Sequence, residues 1–224
     1  MTLRKTDYAA LGLVVAALGA SAALYGQLPE QVAIHFDADG QPDNTMVRPL
    51  AAVLLPAFAL GTYGLLKLVP RIDPLGGNVE AFRDMYEVFV VVVVALLAYV
   101  HSLVLAWNVG YAFDVAQVIA PALAAVFYVA GVLMARAERN WFIGIQTPWT
   151  LSSDEVWRRT HDRAAPLFKA LGVVALLGLV VPEYLLYVVV VPAVLVAVYT
   201  TVYSYRCYHR LDDGEDALAA EGNA

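Results

Sequence analysis

Six long apolar blocks constrain this chain more than any other feature of its sequence. A helix needs about 20 consecutive apolar residues to cross the hydrocarbon core of a bilayer, and each block approaches or reaches that length. The blocks cover residues 8–26, 49–69, 88–109, 115–135, 164–181 and 184–205. Only 15% of the 224 residues are charged, whereas a soluble domain of this size needs a larger charged surface. The sequence therefore predicts an all-α membrane protein, a bundle of about six transmembrane helices with a short extended extracellular loop and a cytoplasmic amphipathic helix.

The basic residues are distributed unevenly between the loops that join these blocks. If the N-terminus is cytoplasmic, Arg48 is the only one of the 14 Lys and Arg residues that lies outside the cell. Cytoplasmic loops of membrane proteins carry an excess of Lys and Arg. The first block is longer than the apolar region of a typical signal peptide and lacks a small-residue cleavage site, so we expect an uncleaved helix. We predict a multi-pass protein of the plasma membrane with both termini in the cytoplasm.

The chain divides into three regions. Residues 1–70 hold two helices and the extracellular loop, residues 71–210 hold four helices with a cytoplasmic loop over 136–166, and residues 211–224 form an acidic tail. The tail is small and polar, is predicted to be disordered, and carries much of the net charge of −6. This charge distribution does not indicate nucleic-acid binding. The single cysteine, Cys207, excludes a disulfide or a Cys-based metal site within one chain.

The residues of the extracellular loop alternate between apolar and polar, and a turn follows them. Val32, Ile34 and Phe36 alternate as in an extended segment, and Gly40 follows in a turn where it can take a positive φ. Imidazole and carboxylate groups are adequate ligands for several divalent cations. The candidate ligands in this loop are His35, Asp37, Asp39 and Asp43. The alternative is a turn whose carboxylates accept hydrogen bonds from backbone amides, and no other cofactor is predicted.

The cytoplasmic loop contains the segment NWFIGIQTPWTLSSDEVWRRTH, residues 140–161. Ser152 followed by Glu155 has the spacing of a capping box, so a helix is predicted to begin near Ser153. Trp157 and His161 share one face of that helix. We expect the helix to lie against the membrane surface, with Trp157 in the interface, and to continue into the fifth apolar block.

This segment is richer in polar and aromatic residues than an interfacial loop requires. An aromatic belt at the membrane surface accounts for each Trp on its own. It does not account for the Asn, Thr, Ser and His residues between them, which favour a recognition or ligand-binding surface. The candidate residues are Asn140, Trp141, Gly144, Thr147, Pro148, Trp149, Thr150, Ser152, Trp157, Thr160 and His161.

The same segment closely resembles the signature of the SdpI family of membrane immunity proteins. The extracellular loop resembles the DUF1648 segment that often precedes this signature, at Leu28, Pro29, His35, Phe36, Gly40, Pro42 and Asp43. Gln146 differs, because the family usually has a basic residue at that position. The resemblance implies an integral membrane protein that protects a bacterium from a secreted, membrane-active toxin and that can also sequester a transcriptional repressor at the membrane.

Three classes of function remain open. The resemblance implies an immunity and signalling protein, with the lipid bilayer, a secreted toxin peptide and a cytoplasmic repressor as partners. A small-solute transporter or channel needs polar residues near the bilayer midplane, where His101 is a candidate unless it is hydrogen-bonded to a neighbouring Ser or Tyr. A membrane-embedded metal-dependent enzyme needs a catalytic motif, but no G-x-S-x-G, H-E-x-x-H, P-loop or dinucleotide fingerprint occurs. We therefore expect that the protein is not an enzyme.

Overall fold

The computed structural model describes the backbone of residues 3–37 and 40–222 and the side chains as far as Leu211. Eight α-helices and one β-hairpin form this part of the chain. They are α1 (Lys5–Leu24), β1 (Gln31–Phe36), β2 (Pro42–Val47), α2 (Arg48–Ile72), α3 (Gly76–Ala81), α4 (Arg83–Asn108), α5 (Val115–Met134), α6 (Pro148–Ser152), α7 (Asp154–Ala175) and α8 (Leu185–Gly222). Short 3₁₀ turns occupy Tyr25–Gln27, Leu176–Leu179 and Pro182–Tyr184.

The long helices run between two ends of the bundle. The hairpin end holds β1, β2, the end of α4 and the start of α5. The basic end holds the starts of α1, α4 and α7 and the connections 73–82 and 135–153. Every Lys and Arg of the chain except Arg48 lies in the half of the bundle nearer the basic end.

Five helices in the described part of the chain are long and apolar enough to cross a bilayer. They cover Lys5–Gln27, Arg48–Ile72, Arg83–Asn108, Val115–Met134 and Pro182–Leu211. These helices correspond to the first four apolar blocks and the last one. The fifth block, 164–181, does not form a helix of its own. Its residues are the second half of α7 and the turn that follows, and the charged first half lowers the mean hydropathy of α7.

Helix α7 packs closely along α5. A Cβ atom added at Gly131 of α5 would lie 2.7 Å from the carbonyl oxygen of Ala165, and one at Gly172 of α7 would lie 2.7 Å from that of Ala124. Small residues let the backbones of membrane helices approach each other in this way. Near the hairpin end, Gln117 donates a hydrogen bond to the carbonyl of Leu179 at 2.9 Å. Helix α7 and the 3₁₀ turn after it therefore remain in contact with α5 over its length.

The β-hairpin covers the ends of α1, α2 and α4. Val32 is buried with Leu28 against Leu105 of α4, which explains the alternation of apolar residues in β1. Asn108, the last residue of α4, accepts a hydrogen bond from the backbone N–H of Ala33 at 2.8 Å and donates one to its carbonyl at 2.9 Å. The predicted extended loop is thus an antiparallel hairpin fixed to the helices by an amide side chain and by apolar contacts.

A buried ion network joins α1, α2 and α4 near the basic end. The Nζ of Lys67 lies 2.8 Å from Oδ1 of Asp7 and 2.6 Å from Oε1 of Glu87. Tyr63 donates a hydrogen bond to Asp7 at 2.9 Å, and Thr6 donates one to Glu87 at 3.1 Å. Both carboxylates are almost fully buried, so each depends on these donors in place of water.

The last helix is longer than the sequence analysis predicts. The backbone of α8 is helical to Gly222, whereas residues 211–224 are predicted to be a disordered tail. The segment from Ala217 to Ala220 contains Ala and Leu residues, which have high helix propensity and extend the helix beyond the apolar block.

Replacing Lys67 tests the ion network. In Lys67→Met, Asp7 and Glu87 lose the buried cation that joins them, and Glu87 keeps only the more distant Arg83 at 3.8 Å, so we expect a loss of about 3 kcal/mol in the free energy of unfolding. The measurement is denaturant unfolding of the detergent-solubilised protein followed by circular dichroism. Lys5→Met is the matched control, because Lys5 is an exposed lysine at the same end of the bundle. Equal stability of the two variants would contradict a structural role for the network.

Candidate functional site

The Trp-rich segment, residues 136–166, closes the basic end between α5 and α7. Its first turn is organised by Asn140, which is fully buried. The side-chain oxygen of Asn140 accepts hydrogen bonds from the N–H groups of Phe142 at 3.0 Å and Ile143 at 2.6 Å. Its amide nitrogen donates to the carbonyls of Glu138 and Ile143. All the hydrogen bonds that Asn140 makes here lie inside the loop, so it shapes the segment and does not face a ligand.

His161 lies at the centre of the segment. Its Nδ1 lies 2.9 Å from the carbonyl of Trp157, and its Nε2 accepts a hydrogen bond from the backbone N–H of Ile145 at 3.0 Å. Because Nε2 accepts, the ring is neutral and its proton is on Nδ1. Burial lowers the pKa of His161 to about 4, and the hydrogen bond to Trp157 only partly offsets that effect. A neutral His161 is therefore part of the fold.

Trp157 and Gly144 complete the surroundings of His161. The indole ring stacks on the imidazole ring with 4.0 Å between their centroids, and its N–H donates to the carbonyl of Ala137 at 2.7 Å. Gly144 has φ of 116°, and a Cβ atom there would collide with Nε2 of His161. Glycine is required at this position both by the backbone conformation and by the space available.

Two threonines fold the next part of the segment into the short helix α6. Thr147 caps α6 by accepting from the N–H of Thr150 at 3.1 Å, and the hydroxyl of Thr150 donates to the carbonyl of Ile145 at 2.7 Å. The Thr147 hydroxyl also lies 3.1 Å from that of Ser204. This contact, with Trp149 edge-on to Tyr205 at 5.1 Å, fixes the segment to α8.

The helix predicted to begin near Ser153 is α7, and Ser153 is its cap. The hydroxyl of Ser153 accepts from the N–H of Val156 at 3.3 Å. Ser152, predicted to be the capping residue, donates instead to the carbonyl of Trp149. The expected position of Trp157 in the membrane interface is wrong, because its side chain is only 2% exposed and packs in a core with Tyr86 and Leu133.

The predicted recognition residues thus fall into two groups. The buried ones share hydrogen bonds or packing inside the protein: Asn140, Thr147, Thr150, Trp157, Thr160 and His161. The exposed or half-buried ones are Trp141, Gly144, Pro148, Trp149 and Ser152. The polar side chains that favour a recognition surface in the sequence therefore mainly stabilise the loop from within, and the residues available for contact are mostly apolar or small.

A cleft of about 420 Å³ lies between the end of α5 and the start of α7. Most of the charges around it are paired, since Arg139 lies 2.5 Å from Asp154 and Arg158 lies 3.2 Å from Asp162. Deeper in the cleft the wall is formed by Trp157 and His161. Within the described residues, the exposed side chain of Arg136 makes no hydrogen bond or ion pair, so its guanidinium is available to an anionic group.

The extracellular-loop candidates form two separate interactions. Nδ1 of His35 lies 2.5 Å from Oδ1 of Asp43, and both side chains are exposed. Asp37 accepts from the N–H of Gln41 at 2.8 Å, and Gly40 has φ of 73°, as the predicted turn requires. Asp39 lies outside the described residues. Among the described residues no three possible ligands converge, so a divalent cation at this loop stays a prediction.

His101 is fully buried between α1, α2 and α4. Its Nε2 lies 2.7 Å from the hydroxyl of Ser21, which in turn donates to the carbonyl of Ala52 at 2.7 Å. Because the hydroxyl proton is used for Ala52, the ring nitrogen is the donor to Ser21. The structure thus contains the hydrogen bond to a neighbouring serine that the sequence analysis gives as the alternative to a functional role.

Sequence reasoning missed three groups that position this site. Asp73 accepts from the backbone N–H of Trp141 at 2.9 Å and so links the Trp-rich segment to the end of α2. Asn108 and the Lys67 network fix the other helices around it. One sequence signal could have indicated the Lys67 network. Lys67 and Glu87 lie within about one to two turns of the ends of apolar blocks, where an unpaired charge is unfavourable, so each needs a partner.

The buried neutral histidine predicts a dependence of stability on pH. Unfolded, His161 has a pKa of about 6.5, so between about pH 6.5 and pH 4 the unfolded chain binds a proton that the folded protein excludes. This contribution to stability is present above about pH 6.5 and is lost on acidification toward pH 4. The loss lowers the free energy of unfolding by about 3 kcal/mol. His161→Gln, which does not titrate, should show a smaller difference in unfolding free energy between pH 7 and pH 4. His209→Gln, a change at an exposed histidine, should behave like the parent, and an unchanged difference in His161→Gln would contradict this assignment.

Comparison with known proteins agrees with the features of both ends of the bundle. A family model described as the SdpI/YfhL protein family matches residues 136–204, and the model of the domain of unknown function DUF1648 matches residues 12–60. The Immunity protein SdpI of Bacillus subtilis (strain 168) is 24% identical over 190 residues, which cover 84% of this chain and 89% of that protein. No solved structure matches the chain significantly. Residues 136–204 therefore match the SdpI/YfhL family, and residues 12–60, which precede them, match DUF1648.

Proposed function

We propose that this protein is an integral membrane immunity protein of SdpI type, which protects its cell from a secreted, membrane-active toxin. The observation that carries this proposal is the extent of the similarity to the Bacillus subtilis immunity protein. It covers 84% of the chain and therefore includes both the hairpin end and the Trp-rich segment. The activity of the relative also gives no support to an enzymatic function.

We infer that the basic end lies in the cytoplasm and the hairpin end outside the cell. The support is the distribution of Lys and Arg residues, of which only Arg48 lies near the hairpin end. We also infer that the second half of α7 and the turn after it form a sixth crossing of the membrane. They pack along α5 from Gly131 to Ala120. Because α5 is itself long and apolar enough to span the bilayer, they cross the same depth.

This orientation assigns different partners to the two ends. A secreted toxin meets the hairpin, where the exposed pair His35 and Asp43 lies beside the exposed residues of β2. A cytoplasmic repressor meets the cleft at the basic end, where the guanidinium of Arg136 has no partner among the described residues. We propose the hairpin as the toxin contact because Asn108 and the buried Leu28 hold it rigidly over the helix ends.

Transport finds less support in the helix interior. Between the Lys67 network and His101, the helices pack through an apolar cluster that includes Val14, Ala59 and Val94. Such packing separates the two polar sites of α1, α2 and α4 and leaves no polar lining between them. A passage for a small solute would need these apolar contacts to open.

Labelling of single cysteines with an impermeant maleimide tests the orientation. In a Cys207→Ser background, Thr45→Cys and Glu183→Cys should react in intact cells, and Ser152→Cys should react only after permeabilisation, since all three positions are exposed. Glu183 decides the number of crossings, because it lies outside the cell only if α7 crosses the membrane. Protection of Glu183→Cys in intact cells would leave five spans, and the reverse pattern at Thr45 and Ser152 would overturn the orientation.

Survival of the native host tests the function itself. A strain lacking the gene should become sensitive to a co-encoded or neighbouring-strain toxin, and re-expression should restore growth. The double variant His35→Ala and Asp43→Ala should lose protection by about tenfold or more at a normal amount of folded protein, because an exposed pair contributes only about 0–1 kcal/mol to stability.

The matched control is the double variant Arg158→Ala and Asp162→Ala, an exposed ion pair at the basic end. It should protect like the parent. If both double variants protect fully, the toxin does not contact the hairpin pair. If the parent gene gives no protection against any such toxin, the immunity function is wrong for this protein.

A further inference from the structure

A groove opens on the outer surface of the bundle between α7 and α8. Its volume is about 350 Å³, and its walls are Pro166 and Leu167 of α7 with Leu195, Val196 and Tyr199 of α8. The surface of these walls is predominantly apolar. Residues 195–199 belong to a helix long and apolar enough to cross a bilayer, so the groove faces lipid and not water.

One charged side chain, Arg163, lines this groove. Its guanidinium lies over the ring of Tyr203, 5.6 Å from the centroid, in a cation–π contact. The neighbouring arginines of α7 are ion-paired, Arg158 with Asp162 and Arg159 with Glu155. The exposed guanidinium of Arg163 makes no ion pair or hydrogen bond within the described residues. The aromatic ring therefore positions a cation whose donors have no anionic acceptor among the side chains that the structure describes.

The position of Arg163 along the helix matches the boundary of the membrane. Ala165, two residues further on, packs against Gly131 close to the end of α5 at Met134. From Arg163 the groove runs away from the basic end, along Leu167 of α7 and toward Leu195 of α8. Two turns of helix separate Tyr203 from Leu195, a distance of about 12 Å at 1.5 Å per residue. A cation thus lies at the headgroup level, and the apolar groove extends from it toward the interior of the bilayer.

We propose that this groove binds one anionic phospholipid from the leaflet at the basic end. The lipid phosphate accepts hydrogen bonds from the Arg163 guanidinium, whose planar donors suit bidentate contact with phosphate. One acyl chain lies between Pro166 and Leu167 on one side and Leu195 and Tyr199 on the other. An anionic headgroup is favoured over a zwitterionic one, because a choline or ethanolamine group adds a second cation beside Arg163. The site is independent of toxin contact at the hairpin and of which leaflet faces the cytoplasm.

Native mass spectrometry of the full-length protein in a neutral detergent tests the site. Phosphatidylglycerol and phosphatidylcholine with identical acyl chains are titrated separately, and the affinity for the first bound lipid molecule is measured for each. The parent should bind one phosphatidylglycerol about tenfold more tightly than phosphatidylcholine, the difference expected for one charge-assisted contact. Arg163→Gln should abolish that preference, and Leu195→Trp, which fills the groove, should weaken binding of both lipids.

Arg159→Gln is the matched control, since Arg159 lies one turn away on α7 but is already paired with Glu155. It should keep the preference for phosphatidylglycerol. Equal binding of the two lipids by the parent, or an equal loss in Arg159→Gln and Arg163→Gln, would overturn the proposal. If inorganic phosphate alone raises the melting temperature as much as phosphatidylglycerol does, the site binds a free anion and not a lipid. If the protein is a dimer that Leu195→Trp dissociates, a second copy of the chain occupies the groove.

Discussion

The absence of water inside a bilayer is the constraint on which this structure depends. Each polar group on a membrane-spanning helix must find its partner within the protein, because an unsatisfied group costs several kcal/mol there. Helices α1, α2 and α4 hold such contacts at three depths, and Nδ1 of His101 is the one buried side-chain atom of these helices that has no hydrogen-bond partner among the described residues. Lys67 joins two carboxylates near the basic end, His101 bonds to Ser21 further along, and Asn108 holds the hairpin at the opposite end. These contacts hold the three helices and the hairpin together as one unit.

The second half of the bundle is held together differently. Gly131 and Gly172 allow close backbone packing of α5 and α7, which does not depend on a polar side chain at those two positions. The chain between these helices must then turn within a short space at the membrane boundary. Asn140, Thr150 and His161 satisfy the backbone groups of that turn. The unusual composition of the Trp-rich segment is thus explained largely by the hydrogen bonds that the turn needs.

The features that follow from local sequence could be predicted. Apolar blocks determine where five of the long helices lie, the alternation around Val32 indicates β1, and the serines near Asp154 indicate where α7 begins. Features that depend on contacts between distant segments could not. Nothing near Trp157 in the sequence shows that Ala137 accepts its N–H, and the pattern suits a membrane interface equally well. The partners of Lys67 lie on two other helices, so its role appears only after the bundle is assembled.

Because most buried polar side chains are hydrogen-bonded within the protein, few polar groups remain that can contact a ligand. A side chain that is buried and fully hydrogen-bonded, such as Asn140, cannot bind a partner without unfolding the loop around it. The groups that remain are charges at the membrane boundary whose pairing is incomplete or exposed to solvent. Arg136 at the cleft and Arg163 at the α7–α8 groove are of this kind, and the pair of His35 and Asp43 is exposed at the hairpin. In such a protein, we therefore expect ligand contacts at the two surfaces of the bilayer, while the residues between these surfaces hold the contact groups in position.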